Sequence, residues 1–196
     1  LNIMGENFVV KLFSNVPTEW KTRAPVQTKK DTGLLDRLLS ANDEQVFYFA
    51  YGKTMSSTIF EREMGWAESA SLPSASNFHP RSARLQDYDL AFNVEDEHEP
   101  GSALPNIYFR KGACVEGVLY SLHPEQMAFL DTVETGYRRL SISVLQADNT
   151  VSAITYVGKR TQQGFKPRQA DLDGMLDGAR EHELSDTYQA RLAGPM

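Results

Sequence analysis

The run Val46-Phe47-Tyr48-Phe49-Ala50-Tyr51-Gly52-Lys53-Thr54-Met55 decides how the rest of the chain is read. Consecutive aromatic, β-branched and small apolar residues describe a fully buried strand, and the glycine behind them marks a turn. Thr54 can then cap a helix that carries Met55, Ile59 and Phe60 and ends near Gly65. A glycine between a buried strand and a helix start lets backbone N–H groups point into one concavity, which suits a carboxylate or an oxyanion. The same geometry also serves as an ordinary connection in which Gly52 only relieves crowding.

Outward from this run, Ala83 to Phe92 alternates around Leu85, Tyr88 and Leu90 as a strand does, and two further strands are expected over Asn106 to Arg110 and Ala113 to Leu122. His123-Pro124-Glu125 opens a helix reaching about Glu134, with Pro124 in its first turn. Tyr137 to Gln146 places Leu140, Ile142 and Val144 on one face, and Val151 to Val157 can pair with it across an Asp148-Asn149 turn. Helices follow from about Arg168 to Glu181 and from Ser185 to Leu192. The stretch from Ser69 to Pro80 reads as loop. The acidic Glu95-Asp96-Glu97-His98-Glu99 segment is read as a solvated loop in preference to a metal site, because its carboxylates lack a regular ligand spacing. The links between strands are too short for repeated βαβ crossovers. The expected class is therefore α+β with a largely antiparallel, barrel-like sheet, in preference to a doubly wound one. Residues 1–44 show no sustained periodicity except Leu34, Leu35, Leu38 and Leu39. They are read as an N-terminal arm with one short helix, ahead of a domain over residues 45–196.

The composition narrows the classes of function. At 196 residues the chain fits one domain with an appendage, and 41% hydrophobic with 23% charged residues is ordinary for a globular protein. A net charge of −6 without a Lys/Arg-rich run gives no footprint for a nucleic acid. No apolar run approaches a bilayer span, and Leu1 onward does not resemble a secretory signal, so no membrane partner and a cytoplasmic, reducing location are expected. One cysteine excludes an internal disulfide and multi-cysteine zinc sites. Cys114 lies in a strand pattern with no neighbouring base and reads as a core residue rather than a nucleophile. His79, His98, His123 and His182 share no spacing with a Ser or Cys motif, and no nucleotide-binding, α/β-hydrolase or zinc-protease motif is present.

The helix end holds the second candidate. At 3.6 residues per turn, Glu134 lies on the stripe of Leu130 and Met127, which directs its carboxyl toward the apolar side. Burial and the negative end of the helix dipole both disfavour the charged form, so a raised pKa is expected, as suits a general base that also returns the proton. Asp131, one turn earlier, is the rival carboxylate. Alternatively the helix ends at Val133 and Glu134 simply faces water.

Together these pieces resemble the γ-glutamylcyclotransferase family. Tyr48 to Met55, YFAYGKTM, is similar to the family's YFAYGSNM/L signature. Ala83-Arg84-Leu85-Gln86-Asp87-Tyr88 resembles its ARLxD(F/Y) strand, and Glu116-Gly117-Val118-Leu119-Tyr120 its WGVVY strand. Leu130-Asp131-Thr132-Val133-Glu134 matches LDxxEG up to the glutamate, and Gly178-Ala179, Leu184 and Tyr188 fall at the spacing of GAxxxGLPxxY. The resemblance implies a small mixed, largely antiparallel β-barrel with flanking helices, and a reaction without metal or organic cofactor, in which the α-amine of a γ-glutamyl group attacks its own γ-carbonyl and releases 5-oxoproline with the attached amine. It implies Glu134 as the catalytic acid/base, and Tyr48, Tyr51, Gly52, Lys53, Thr54, Met55 and Tyr137 as residues that bind a small-molecule γ-glutamyl substrate. A homodimer is compatible with it. The chain also departs from the pattern: Lys53 and Thr54 stand for the family's Ser and Asn, Thr135 for its glycine, and Asp171 for the Tyr of its PSxxY run. Those changes make a shifted substrate credible, such as a glutathione conjugate in detoxification or secondary-metabolite biosynthesis, or a γ-glutamylamine. A binding or regulatory protein on the same fold, without turnover, is the other reading.

Overall fold

A computed structural model of the chain describes residues 45–65 and 80–194. The expected arm over residues 1–44, its short helix and most of the expected loop from Ser69 lie outside the described residues. The described elements, in chain order, are β1 (Val46–Ala50), a 3-10 turn (Lys53–Met55), α1 (Ser57–Glu63), β2 (Arg81–Glu95), β3 (Ser102–Leu122), α2 (Pro124–Val133), β4 (Tyr137–Gln146), β5 (Asn149–Gly158), the two-residue β6 (Lys166–Pro167), α3 (Gln169–Glu181) and α4 (Asp186–Ala193).

The strands run β1-β5-β4-β2-β3, and β3 returns to pair with β1, so five strands close into a barrel while β6 adds to β3 outside it. Only β1–β5 is parallel within the barrel; the β1–β3, β2–β3, β2–β4 and β4–β5 pairs are antiparallel. With four helices around it, this is the mixed, largely antiparallel α+β barrel expected from the sequence. The parallel seam is short, with Tyr48 opposite Ile154, and the Thr155 hydroxyl reinforces it by donating to the Phe49 carbonyl at 2.8 Å.

Two elements differ from expectation for identifiable reasons. Asn106–Arg110 and Ala113–Leu122 belong to the single strand β3, because the expected break at Lys111-Gly112 is a bulge: Asp87 (φ 61°) and Gly112 (φ 80°) are both left-handed, and the Asp87 carboxylate accepts the Gly112 N–H at 2.8 Å. The β4–β5 connection is one residue earlier than expected, since Gln146 pairs with Asn149 and leaves Ala147 (φ 51°) and Asp148 as the turn.

Where β1 pairs with β3 both faces of the strands are buried: Phe49, Val115 and Leu119 lie on one face, and Val118, Tyr120 and Leu122 on the other, where Phe60 of α1 stacks on Tyr120 with ring centroids 4.2 Å apart. Gly117 is required by this closure: a Cβ there would lie 2.3 Å from the Ala50 carbonyl oxygen and 2.7 Å from the Phe49 ring. Cys114, half-buried with its thiol pushed up by burial, takes no part in the site described next.

Candidate active site

Where β1 leaves the barrel, Gly52 turns the chain into Lys53–Met55. Thr54 does not cap a helix as expected; it lies inside the 3-10 turn, and Ser56 occupies the N-cap position of α1. The turn is tightly held. Tyr120 donates its hydroxyl toward the carbonyls of Thr54 and Met55 at 3.1 Å each, and the Tyr48 hydroxyl lies 3.5 Å from the Thr54 hydroxyl. Helix α3 lies against the turn through glycines. A Cβ at Gly178 would sit 2.3 Å from the Ser56 nitrogen, and one at Gly174 would sit 3.1 Å from the Lys53 Cβ. So held, the Lys53 and Thr54 N–H groups carry no backbone partner among the described residues.

Opposite the turn, α2 ends at Val133, as the alternative reading had it, yet Glu134 does not face open water. It takes the C-cap position, with its N–H donating to the Leu130 carbonyl at 2.8 Å, and its partly buried side chain forms part of a cavity wall. The helix end is anchored by Met127 and Leu130, both buried in the core.

The cavity, about 400 Å³, is lined by Tyr48, Tyr51, Gly52, Lys53 and Thr54 on one side and by Val133 to Tyr137 on the other. Seven of the eight sequence-derived site residues therefore meet at one cavity: Glu134, Tyr48, Tyr51, Gly52, Lys53, Thr54 and Tyr137. Met55 does not. It is fully buried in the hydrophobic core, its Cβ against Gly178 of α3 and its carbonyl accepting from Tyr120.

The electrostatics separate the two rival carboxylates. Glu134 has its pKa pushed up to about 7, first by burial and then by the Glu63 carboxylate, with Lys53 acting in the opposite direction. The expected rise is present, and its second cause is a neighbouring carboxylate rather than the helix dipole. Asp131 is held below the usual carboxylate range by Arg139, whose guanidinium donates to it at 2.7 and 2.6 Å, and by the Tyr156 hydroxyl at 2.8 Å. A salt-bridged carboxylate outside the cavity has neither the position nor the basicity of a general base.

Three tyrosines surround Glu134. Burial raises Tyr48, Tyr51 and Tyr137 above the ordinary phenol value, and the Glu134 charge adds to each shift, so all three stay neutral. Their hydroxyls are already engaged: Tyr51 donates to the Tyr156 carbonyl and Tyr137 to the Pro105 carbonyl, both at 2.7 Å. They wall and shape the cavity, with phenolic lone pairs still able to accept from a ligand.

The departures Lys53 and Asp171 prove to be neighbours. Lys53 Nζ lies 2.6 Å from Glu63 and 3.8 Å from the buried Asp171, and Asp171 is held by Arg168 through two contacts of 2.7 and 3.0 Å. Arg168 also reaches the buried Asp96 at 2.9 Å. The acidic segment is thus not simply a solvated loop: Glu95, Asp96, Glu97 and His98 form part of the cavity wall, and Asp96 ties the β2–β3 turn to the start of α3. Glu63, Asp96 and Arg168 were not among the sequence-derived site residues, because they come from three elements with no shared motif. The acidic run was the one visible signal.

The comparisons agree with this architecture. A solved structure described as a gamma-glutamyl cyclotransferase superposes with a TM-score of 0.66 at 22% identity, covering 78% of this chain and 89% of that one. An uncharacterized protein from Homo sapiens gives 0.64 at 20% over the same shares, and YkqA from Bacillus subtilis gives 0.64 at 21% over 81% of this chain and 56% of YkqA. The fold is therefore that of the γ-glutamylcyclotransferase-like proteins. Residues 114–192, from the second half of β3 to α4, match the AIG2-like family model. The likeness to these structures is one of fold, and over that segment the chain carries the AIG2-like pattern. Among curated proteins, none matches it. No helix among the described residues is long and apolar enough to cross a membrane.

Proposed function

We propose that the protein cyclises a γ-glutamyl group, releasing 5-oxoproline and the amine that was attached to the γ-carbonyl. The observation that carries this reading is the meeting, at one cavity, of the Gly52–Thr54 turn with a glutamate whose pKa is pushed up to about 7. A carboxylate near neutrality can accept a proton from an ammonium and return one to a leaving nitrogen in the same cycle.

In the reaction, the substrate's α-amine nitrogen forms a bond to its own γ-carbonyl carbon and the bond from that carbon to the leaving nitrogen breaks. Glu134 takes a proton from the α-ammonium to free its lone pair and delivers it to the leaving nitrogen; the attacking nitrogen gives up a second proton as the lactam N–H forms, and this proton goes to the departing amine, which leaves as an ammonium while Glu134 returns to its carboxylate form. No water is consumed. Because nucleophile and electrophile share one molecule, the wall formed by Tyr48, Tyr51 and Tyr137 acts mainly by holding the bent conformer, a source of up to roughly 7 to 11 kcal/mol in favourable intramolecular cases. The Lys53 and Thr54 N–H groups are available to the glutamyl carboxylate or to the oxyanion that develops at the γ-carbonyl. The leaving portion is a γ-glutamyl peptide's amine or that of a glutathione-derived conjugate, and the localisation that goes with such a substrate is cytoplasmic. Glu134 in the cavity favours turnover over the purely binding reading. Release of 5-oxoproline from a panel of γ-glutamyl dipeptides, glutathione and glutathione S-conjugates tests the proposal; a full rate in Glu134→Gln would refute the assignment of the acid/base.

A further inference from the structure

We propose that a cleft beside the Asp87–Gly112 bulge binds a small phosphate monoester through its phosphoryl group, at a second site that does not depend on the cyclotransferase reading. The cleft, about 510 Å³, is lined by Asp89, by Arg110 to Cys114 and by Arg191, and no residue lines both it and the Glu134 cavity. Its wall brings three cations to one carboxylate. Asp89 is buried and accepts from the Leu90 N–H at 2.9 Å, the Tyr108 hydroxyl at 3.3 Å, Arg110 at 2.5 Å and Arg191 at 2.6 Å. Four donors fill the acceptor sites of a carboxylate, so Asp89 has none left for Lys111. Lys111 is exposed and has no ion-pair partner among the described residues. The nearby carboxylates are engaged outside the cleft: Asp87 accepts the Gly112 N–H, and Glu116 accepts the Ser185 N–H and hydroxyl at 2.8 and 2.6 Å. The wall thus keeps an excess of positive charge in a chain whose net charge is −6.

The arrangement suits a phosphoryl group. Each guanidinium carries its N–H donors in a planar fork, and the shared Asp89 carboxylate takes one donor from each while fixing the two forks side by side. A phosphate monoester has three terminal oxygens and a charge of about −1.5 to −2 near neutrality, which both forks and the Lys111 ammonium can share. A carboxylate offers two oxygens and a single charge. Tyr188 supplies an independent observation. It lies one turn before Arg191 on α4, and its buried hydroxyl has no hydrogen-bond partner among the described residues. Besides burial, the groups that act on it are Arg191, Glu116, Cys114 and Asp89, three of them from the cleft wall. Buried hydroxyls are ordinarily paired, and a ligand oxygen or a water held by the ligand would complete this one. The cleft mouth is open at Gly112 (φ 80°), where no protein atom lies within 4 Å of the position a Cβ would take.

The chain's one cysteine makes the site readable, because Cys114 stands in the cleft wall. Calorimetry on the full chain compares glycerol 3-phosphate, phosphoserine and glucose 6-phosphate with glycerol, serine and glucose; a phosphoserine peptide is the further probe. The three phosphate esters are expected to bind, with affinity falling as salt is added, and their unphosphorylated counterparts to show no binding. Each ester at saturation is expected to slow alkylation of Cys114 by iodoacetamide. Lys111→Gln is expected to weaken the esters about threefold and Lys111→Glu on the order of tenfold, the scale of exposed charge pairs with and without reversal. Neither variant removes an ion pair from the described fold, because Lys111 makes none. Failure of all three esters to bind, equal binding of their counterparts, undiminished binding in Lys111→Glu, or no protection of Cys114 overturns the inference. Binding confined to the peptide overturns it as well, since the ligand would then be a protein partner. Release of 5-oxoproline is measured separately, so either proposal can fail while the other stands.

Discussion

Glu134 and Asp131 sit three positions apart on one helix end, yet their surroundings give them opposite chemistry. Asp131 meets a guanidinium and a phenol and stays ionised, whereas Glu134 meets tyrosines and the Glu63 carboxylate and holds its proton to about pH 7. Glu134→Gln is expected to lower kcat by about 10²- to 10⁴-fold, the range of general acid–base catalysis, while Asp131→Asn costs far less. Steady-state kinetics on one γ-glutamyl substrate compare the two. The base must be ionised to act, so kcat/KM should rise with pH through an apparent pKa near 7. Glu63→Gln removes a negative neighbour and should move that limb to lower pH, and Lys53→Met should move it to higher pH. Shifts in the reverse sense, read from the pH–rate profiles, would contradict the assigned electrostatics. At this scale the sequence placed Glu134 on the apolar side by periodicity, but the choice between it and Asp131 depended on Arg139 and Tyr156, which arrive from strands β4 and β5.

The 3-10 turn owes its shape to the element packed on it. Helix α3 presents Gly174 and Gly178 to Lys53, Met55 and Ser56, and a methyl group at Gly178 would collide with backbone atoms at 2.3 and 2.4 Å. Gly178→Ala should therefore cost about 1 to 3 kcal/mol, since backbone cannot yield as a flexible side chain can. Urea denaturation measures that loss, and a KM increase beyond the change in kcat would show that the turn has been displaced. In the sequence Gly178-Ala179 was visible only as a spacing match. Its reason is a close approach between segments some 120 residues apart, which local pattern cannot express. The strands were more legible because alternation is a local property: β4 was read with its observed bounds, whereas the bulge at Asp87 and Gly112 was read as a strand end because glycine marks both.

For the molecule as a whole, the raised pKa of Glu134 ties the site to stability. The ordinary glutamate value is about 4.5 and the folded value about 7, so between those limits the folded protein binds more protons than the unfolded chain. This contribution favours the folded state at low pH and is lost as pH rises through 7. Glu134→Gln should accordingly be more stable than the parent at pH 8, with the advantage gone by about pH 4; thermal melts at both values check the sign. The result also distinguishes a buried carboxylate from an exposed one, whose removal would leave the difference independent of pH.

What the sequence determined by itself was the strand alternation, the helix periodicity, the α+β barrel class and the residues of the two segments that meet at the cavity, because each is carried by local spacing and residue chemistry. What only the tertiary structure decided was the pairing of β3 with β1 that closes the barrel, the burial of Met55, the opposite electrostatic surroundings of Glu134 and Asp131, and the cancellation of Lys53 and Arg168 by acidic side chains from other elements. The physical reason is that burial and electrostatic environment are sums over neighbours, and in a closed barrel those neighbours come from distant parts of the chain.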